Sequence, residues 1–345
     1  MSKKNIIPIF VPHEGCPNDC VFCNQRKITG ISTSITEEDI KNTIETYSTY
    51  FKNNNKIEIA LYGGSFTAID MDSQEWILKA INKYVSLEKF DSIRLSTRPD
   101  AIDEERLNLL SKYNVKTIEL GVQSLDRDVL RMSKRGHSVS SVYESAELIK
   151  SFGFNLGLQQ MLGLYGDDLD KSLFTAREFV KIGPKFVRIY PTLVIKDTEL
   201  ETLYNLGAYN PLSVEEAVEW VSQIMPIYTK NNIEIIRVGL QPTDNIQLGK
   251  DVVAGPFHPA IRQLVESKLI VQQILEVLKE ESPKEIKIFA SGRNISLIAG
   301  NKGTGKKYLV DNLHLDSIEM KIDQKLEDEI KIYFANRVIS IKAGE

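Results

Sequence analysis

Residues 5–23 read NIIPIFVPHEGCPNDCVFC: an apolar run to Val11, then a loop in which Cys16, Cys20 and Cys23 are separated by three and then two residues. The run reads as a strand, which places the cysteines at its carboxyl end. Three cysteines is an odd number, and all of them lie in this one loop. A disulfide framework spreads an even count along a chain, so the pattern points to a metal or cluster. Soft thiolates this close together can ligate three corners of a 4Fe–4S cubane and leave the fourth iron open to a small molecule. Structural zinc is the alternative, with His13 as the fourth ligand.

Outward from this loop, short apolar runs alternate with amphipathic stretches to about residue 240. Strands are expected at Asn5–Val11, Ile57–Tyr62, Ser92–Thr97, Thr117–Val122, Asn155–Gln160 and Phe186–Tyr190. Helices are expected between them at Thr36–Lys52, Ser73–Ser86, Asp103–Tyr113, Ser140–Phe152 and Leu169–Ile182. The Thr36-Glu37-Glu38-Asp39 cap and Gly153 after Phe152 agree with these limits. Six βα steps in a row imply parallel strands with right-handed crossovers. Six is too few to close an eight-fold barrel, so the expected fold is α/β, an open, partial (β/α)6 barrel. Its active site belongs at the carboxyl ends of the strands. A helix at Val214–Lys230 leads to a further apolar run, Glu234–Leu240. The domain expectation is a core over 1–240 and a smaller α+β subdomain over 241–345. In the latter, helices are expected at Pro259–Lys279 and Asp323–Phe334 and strands at Glu285–Ala290 and Asn294–Ala299.

Hydrophobic residues at 42% and charged residues at 26% suit an ordinary globular core. A net charge of −4 argues against a polycation that coats nucleic acid, while leaving room for a local basic face. The amino-terminal apolar run is broken by Pro8 and Pro12 and lacks a cleavage site, and no stretch approaches the ~20 apolar residues of a membrane span. The expected location is the cytoplasm, without a membrane partner.

The cysteine spacing resembles that of the radical S-adenosylmethionine (SAM) superfamily. The resemblance implies a 4Fe–4S cluster held by Cys16, Cys20 and Cys23, SAM on the open iron, an external electron donor, and reductive SAM cleavage followed by hydrogen abstraction. Gly63-Gly64-Ser65-Phe66-Thr67 directly follows the second expected strand, where bare backbone can approach a ligand closely. In the superfamily this turn meets the SAM amino group. Gly121-Val122-Gln123-Ser124, with Arg135 twelve residues after Gln123, resembles the branch containing oxygen-independent coproporphyrinogen oxidase and the elongator catalytic subunit. By that resemblance Gln123 and Arg135 contact SAM, and Phe10 and Phe22 stand for aromatic residues beside it; both phenylalanines also read as core aromatics. Ser96, ahead of Pro99, replaces a ribose-binding glutamate of the oxidase, and Gln159 replaces an aspartate. Both can hydrogen-bond hydroxyls without a carboxylate charge.

Residues 188–200, RIYPTLVIKDTEL, resemble the stretch at the sixth strand of elongator catalytic subunits, and Gly207-Ala208-Tyr209-Asn210-Pro211 continues the likeness. The likeness covers roughly residues 5–240, and elongator's first cysteine gap is longer. No acetyl-coenzyme A domain is recognised in the remainder. The favoured substrate is a tRNA uridine; a porphyrin-type or other small molecule, and a zinc-stabilised RNA-binding protein without catalysis, are the alternatives.

Residues 300–307, GNKGTGKK, nearly spell a phosphate-binding loop, but Lys307 stands where Ser or Thr would meet magnesium. A glycine-rich hairpin is the preferred reading. Lys287, Arg293, Lys302, Lys306 and Lys307 occur with no acidic residue from 287 to 310, which suits either a solvated surface or RNA phosphates. Gly255-Pro256-Phe257-His258-Pro259 reads as a rigid turn into a helix, its histidine structural.

Overall fold

The computed structural model describes residues 5–11, 20–24, 35–51, 56–85, 90–243 and 245–343. Cys20 and Cys23 fall within these residues; Cys16 and His13 lie outside them. The chain divides into two compact units, one of residues 1–212 with 233–257, the other of 213–232 with 258–345.

The first unit is built on seven parallel strands: β1 (Asn5–Val11), β2 (Ile57–Gly63), β3 (Phe90–Thr97), β4 (Val115–Gln123), β5 (Asn155–Leu162), β6 (Phe186–Pro191) and, after a two-residue β7 (Val194–Ile195), β8 (Glu234–Val238). Their order, β1-β2-β3-β4-β5-β6-β8, is that of a curled, open half-barrel whose crossovers are helical. All six expected strands are present, and the Glu234 run adds the seventh. The expected helices are present too, ending within two or three residues of the expected limits. Thr36 and Asp39 form a reciprocal capping box, Asp39 N donating to Thr36 Oγ1 (3.1 Å) and Thr36 N to Asp39 Oδ2 (2.9 Å). Gly153 takes φ +80°, the left-handed conformation that lets the chain leave the helix Val139–Ser151.

Strand register sorts the side chains into two faces. Ile59, Ile93, Leu61 and Leu95 pair across β2 and β3, and Ile118, Leu156, Leu158 and Val187 continue the row. This buried aliphatic face receives the apolar stripes of the crossover helices, such as Ile77, Leu78 and Ile81. The other, inner face is polar: Tyr62, Arg94, Ser96, Glu119, Gln159 and Arg188 occupy it by the same register. Gly157 belongs there as well, because a β-carbon would collide with the Phe186 ring lying over it. β7 pairs with β9 (Val252–Ala254) as a small antiparallel ribbon.

In the second unit, β10 (Glu285–Ala290), β11 (Ser317–Ile322), β12 (Glu329–Phe334) and β13 (Arg337–Lys342) form a mixed sheet of order β11-β10-β12-β13. Ile286, Ile288, Ile330 and Ile332 pack with Val271, Ile274, Leu297, Ile298 and Leu309 of the helices into one core. Two expected elements are corrected here. Asn294–Ala299 lies in a helix, Gly292–Ala299, because Ser291 caps Asn294 N and Gly300 stops it. Asn294, Leu297 and Ile298 are its buried stripe, a period of three and four rather than two. Asp323–Phe334 holds a strand instead of a helix, since Ile330, Ile332 and Phe334 alternate inward. Residues 300–307 are not a hairpin either: a turn joins that helix to another, Thr304–Leu313. A phosphate-binding loop follows a strand, so this placement removes that reading. In sequence this helix has no clear start, because its first turn is Thr304-Gly305-Lys306-Lys307 and Gly303 before it offers no capping side chain. His258 accepts from Ala260 N at 3.1 Å, the structural role expected of it. Among the described residues no helix is long and apolar enough to cross a membrane.

Candidate active site

The segment carrying Cys20 and Cys23 is fixed at the carboxyl ends of the strands by backbone bonds to a distant turn and to the first turn of the helix Glu199–Asn205. Val21 N donates to Ser133 O (3.2 Å), and Val21 O accepts from Leu200 N (2.7 Å). Cys23 N closes a turn on Cys20 O (2.9 Å), and Asn24 Nδ2 reaches Lys196 O (3.1 Å). Val21 is buried with Val194, Leu200 and Tyr209, and Phe22 packs against that cluster. The elongator-like run therefore clamps the cysteine segment.

Cys20 is buried with a free thiol, and Arg135 Nη1 lies 3.6 Å from its Sγ. Arg135 Nη2 donates to Gly121 O, and its own carbonyl accepts from Arg98 Nη2 at 3.1 Å. Gly121 is needed at this point: a β-carbon would stand 3.0 Å from Arg135 Nη2 and 3.2 Å from Gln123 Nε2. Gln123 closes β4 at φ +72°, a conformation glutamine seldom adopts. Gln123 Oε1 and Arg135 Nε are both buried without a partner, on side chains only 8% and 7% exposed. Unsatisfied buried groups are costly, so their presence together marks a place for a polar ligand. Both nitrogens of neighbouring His137 are equally bare. Burial first, then the charge of Arg135, pushes the His137 pKa down to about 3, so its imidazole is neutral.

The remaining expected residues divide into two groups. Gly63 (φ +106°) and Gly64 make the turn after β2, but the Ser65 hydroxyl is already engaged. It lies 2.9 Å from Thr97 Oγ1 and accepts from Arg98 N at 3.0 Å, tying the ends of β2 and β3 together. Ser96 and Gln159 meet on the inner face, Gln159 Nε2 donating to Ser96 Oγ and Glu119 Oε2, each at 3.4 Å. Phe10 pairs in register with Tyr62 on that face, while Phe22 belongs to the Val21 cluster.

Sequence reading missed what lies beneath Gln159. Glu119 is fully buried and takes Arg188 Nε (2.6 Å), Arg188 Nη2 (3.1 Å) and Arg94 Nη1 (3.1 Å). Arg94 Nε continues to Glu58 Oε2 (2.7 Å), and Arg188 Nη2 to the Tyr62 hydroxyl (2.7 Å). Burial disfavours the Glu119 carboxylate, yet the Arg188 guanidinium, followed by Arg94, outweighs it and holds the carboxyl below its usual range. The Tyr62 phenol is pushed up to about 12 by burial and then by Glu119. The signal for this network was present: one charged residue between aliphatics in Ile57-Glu58-Ile59, Ile93-Arg94-Leu95, Ile118-Glu119-Leu120 and Val187-Arg188-Ile189.

Sequence comparison matches residues 10–177 to the Radical SAM superfamily and residues 184–271 to the Radical_SAM C-terminal domain. The chain belongs to the radical SAM superfamily. It is similar to the tRNA uridine(34) acetyltransferase of Methanocaldococcus infernus, 33% identical over 203 residues, which are 51% of this chain and 38% of that protein. It is also similar to human Elongator complex protein 3, 31% identical over 192 residues, 50% of this chain and 35% of that one. The matched stretches thus amount to less than two-fifths of either relative. Among solved structures, the archaeal Methanocaldococcus infernus Elp3 with an N-terminal deletion shares the fold. Its TM-score is 0.61 at 22% identity, over 80% of this chain and 63% of that one.

Membership in this enzyme superfamily implies a 4Fe–4S cluster and SAM. The residues described here fit both: a free buried thiol for iron, and two orphaned polar atoms beside it for the charged and polar groups of SAM.

Proposed function

We propose that this chain is a cytoplasmic radical SAM enzyme acting on a tRNA uridine, supplied with electrons by an external donor. The reading of the site rests on one observation: Arg135, Gln123 and Cys20, from two βα loops and a strand end, converge with unsatisfied hydrogen-bonding capacity. The cluster and SAM, when bound, supply reductive radical chemistry. Cys16, Cys20 and Cys23 hold the iron. Arg135 fixes the Cys20 sulfur and, with Gln123, offers polar contacts to SAM. Gly63 and Gly64 present open backbone to an ammonium group. Ser96 and Gln159 take ribose hydroxyls in this reading, Gln159 held by Glu119. Phe10 and Phe22 supply apolar contact.

The substrate rests on similarity to proteins named for tRNA uridine 34. All five cations expected to meet RNA are exposed; Lys287 and Arg293 carry surface pairs with Glu319 and Glu266, which phosphates can exchange. Anaerobically purified protein should be brown, and with reductant and SAM should form 5′-deoxyadenosine; a colourless, zinc-loaded protein would overturn the chemistry. Mass spectrometry of tRNA nucleosides from a deletion strain should show one uridine modification missing. An unchanged nucleoside profile would overturn the substrate.

A further inference from the structure

The helices of the second unit cover one face of its four-stranded sheet, through the core that joins Ile286, Ile288, Ile330 and Ile332 to them. The opposite face carries an aromatic pair on the two central strands. Phe289 of β10 and Tyr333 of β12 stand with ring centroids 5.3 Å apart at 72°. Register places Lys287 opposite Tyr333 and Lys331 opposite Phe289, and the Lys321 ammonium lies 6.0 Å from the Phe289 centroid. Tyr333 is 41% exposed, an unusual degree for an aromatic ring at the centre of a sheet.

We propose that this sheet face binds unpaired RNA nucleotides, stacking bases on Tyr333 and Phe289 with phosphates held by Lys287, Lys321 and Lys331. The inference rests on the reading that the enzyme acts on RNA, and adds to it which surface takes single-stranded RNA. An exposed tyrosine and a half-buried phenylalanine on the central strands of a four-stranded sheet, flanked by cations, suit bases because every base has a π-face. The lysines argue against a protein: lysine is depleted from protein interface cores, where its ammonium would lose water. Glu319 bridges Lys287 and Lys321, and Glu329 lies 3.7 Å from Lys331. These are solvated pairs, which phosphates can exchange at little cost.

The test measures anisotropy of a labelled single-stranded oligouridine of about ten nucleotides on the full-length protein. Phe289→Ala with Tyr333→Ala should weaken binding roughly 5- to 150-fold for each stacked base lost, while Tyr333→Trp retains it. Lys287→Gln with Lys331→Gln should flatten the salt dependence by about 0.7 in slope per cation. Independently of any variant, ultraviolet crosslinking of the unaltered protein should recover peptides spanning Glu285–Ala290 and Glu329–Phe334. Wild-type tRNA binding that the aromatic changes leave untouched, with crosslinks confined to the first unit, would overturn this inference alone and leave the face to a protein partner. Failure of the wild type to bind either the oligonucleotide or whole tRNA would overturn the RNA reading along with it.

Discussion

On the seven-stranded sheet, the face away from the helices keeps Glu58, Arg94, Glu119 and Arg188 out of water; on the four-stranded sheet, the corresponding face keeps Lys287, Glu319, Lys321 and Glu329 in it. The residue types are nearly the same, and both sets are paired. The difference lies in solvation. A buried carboxylate without its guanidinium is an uncompensated charge in a medium of low polarity, whereas a surface carboxylate without its lysine is simply hydrated. The inner network is thus a rigid floor beneath Gln159, while the outer pairs are exchangeable and suited to contact with a polyanion.

The largest expected effect lies at the mouth of the inner face. Changing Cys16, Cys20 or Cys23 to Ala should abolish 5′-deoxyadenosine formation and iron binding together, since three thiolates are the fewest that leave one iron open. Substantial product from any two of these variants would remove the inner face as the reaction chamber. Next, Glu119→Ala should destabilise the protein by about 3–5 kcal/mol, because it leaves the buried Arg188 without its carboxylate and Arg94 with Glu58 alone. Urea unfolding measures this, and a loss too small to detect would mean that the network is hydrated after all.

A smaller, pH-dependent effect belongs to His137. Its pKa is about 3 in the folded chain against about 6.5 when unfolded, so the unfolded state takes up the proton first. Its contribution to stability is complete above about pH 6.5 and declines below it, by up to tenfold in the folding equilibrium per pH unit, until about pH 3. His137→Gln should flatten the fall in melting temperature between about pH 6.5 and 5; parallel curves for the two proteins would show that the imidazole is hydrated. The smallest effect is expected of Glu319→Ala, which should leave the urea midpoint unchanged. A clear downward shift would erase the contrast between the two faces.

Much of the first unit was legible because its signals are local. Alternation marked the strands from Asn5 to Tyr190, and the Thr36 box and Gly153 marked helix ends. In the second unit, the same short apolar runs were ambiguous. Asn294–Ala299 contains too few residues to separate a period of two from one of three to four, and only its packing against Val271 and Leu309 resolves it. The basic run from 287 to 310 looked unpaired in sequence, yet Glu319 and Glu266, distant along the chain, form surface pairs with Lys287 and Arg293.

By itself the sequence determined the βα alternation, the grouping of three cysteines after the first strand and the glycine turn after β2, because each is set by backbone period or by neighbours in the chain. Only the tertiary structure decided that Arg135 meets Cys20 across 115 residues, that Ser65 is spent on Thr97, and that Glu119 gathers two arginines from β3 and β6. Such meetings depend on strand order and register. Those are settled by burying the aliphatic face as a whole, and no local stretch of sequence records which charged side chains then come to share the face left over.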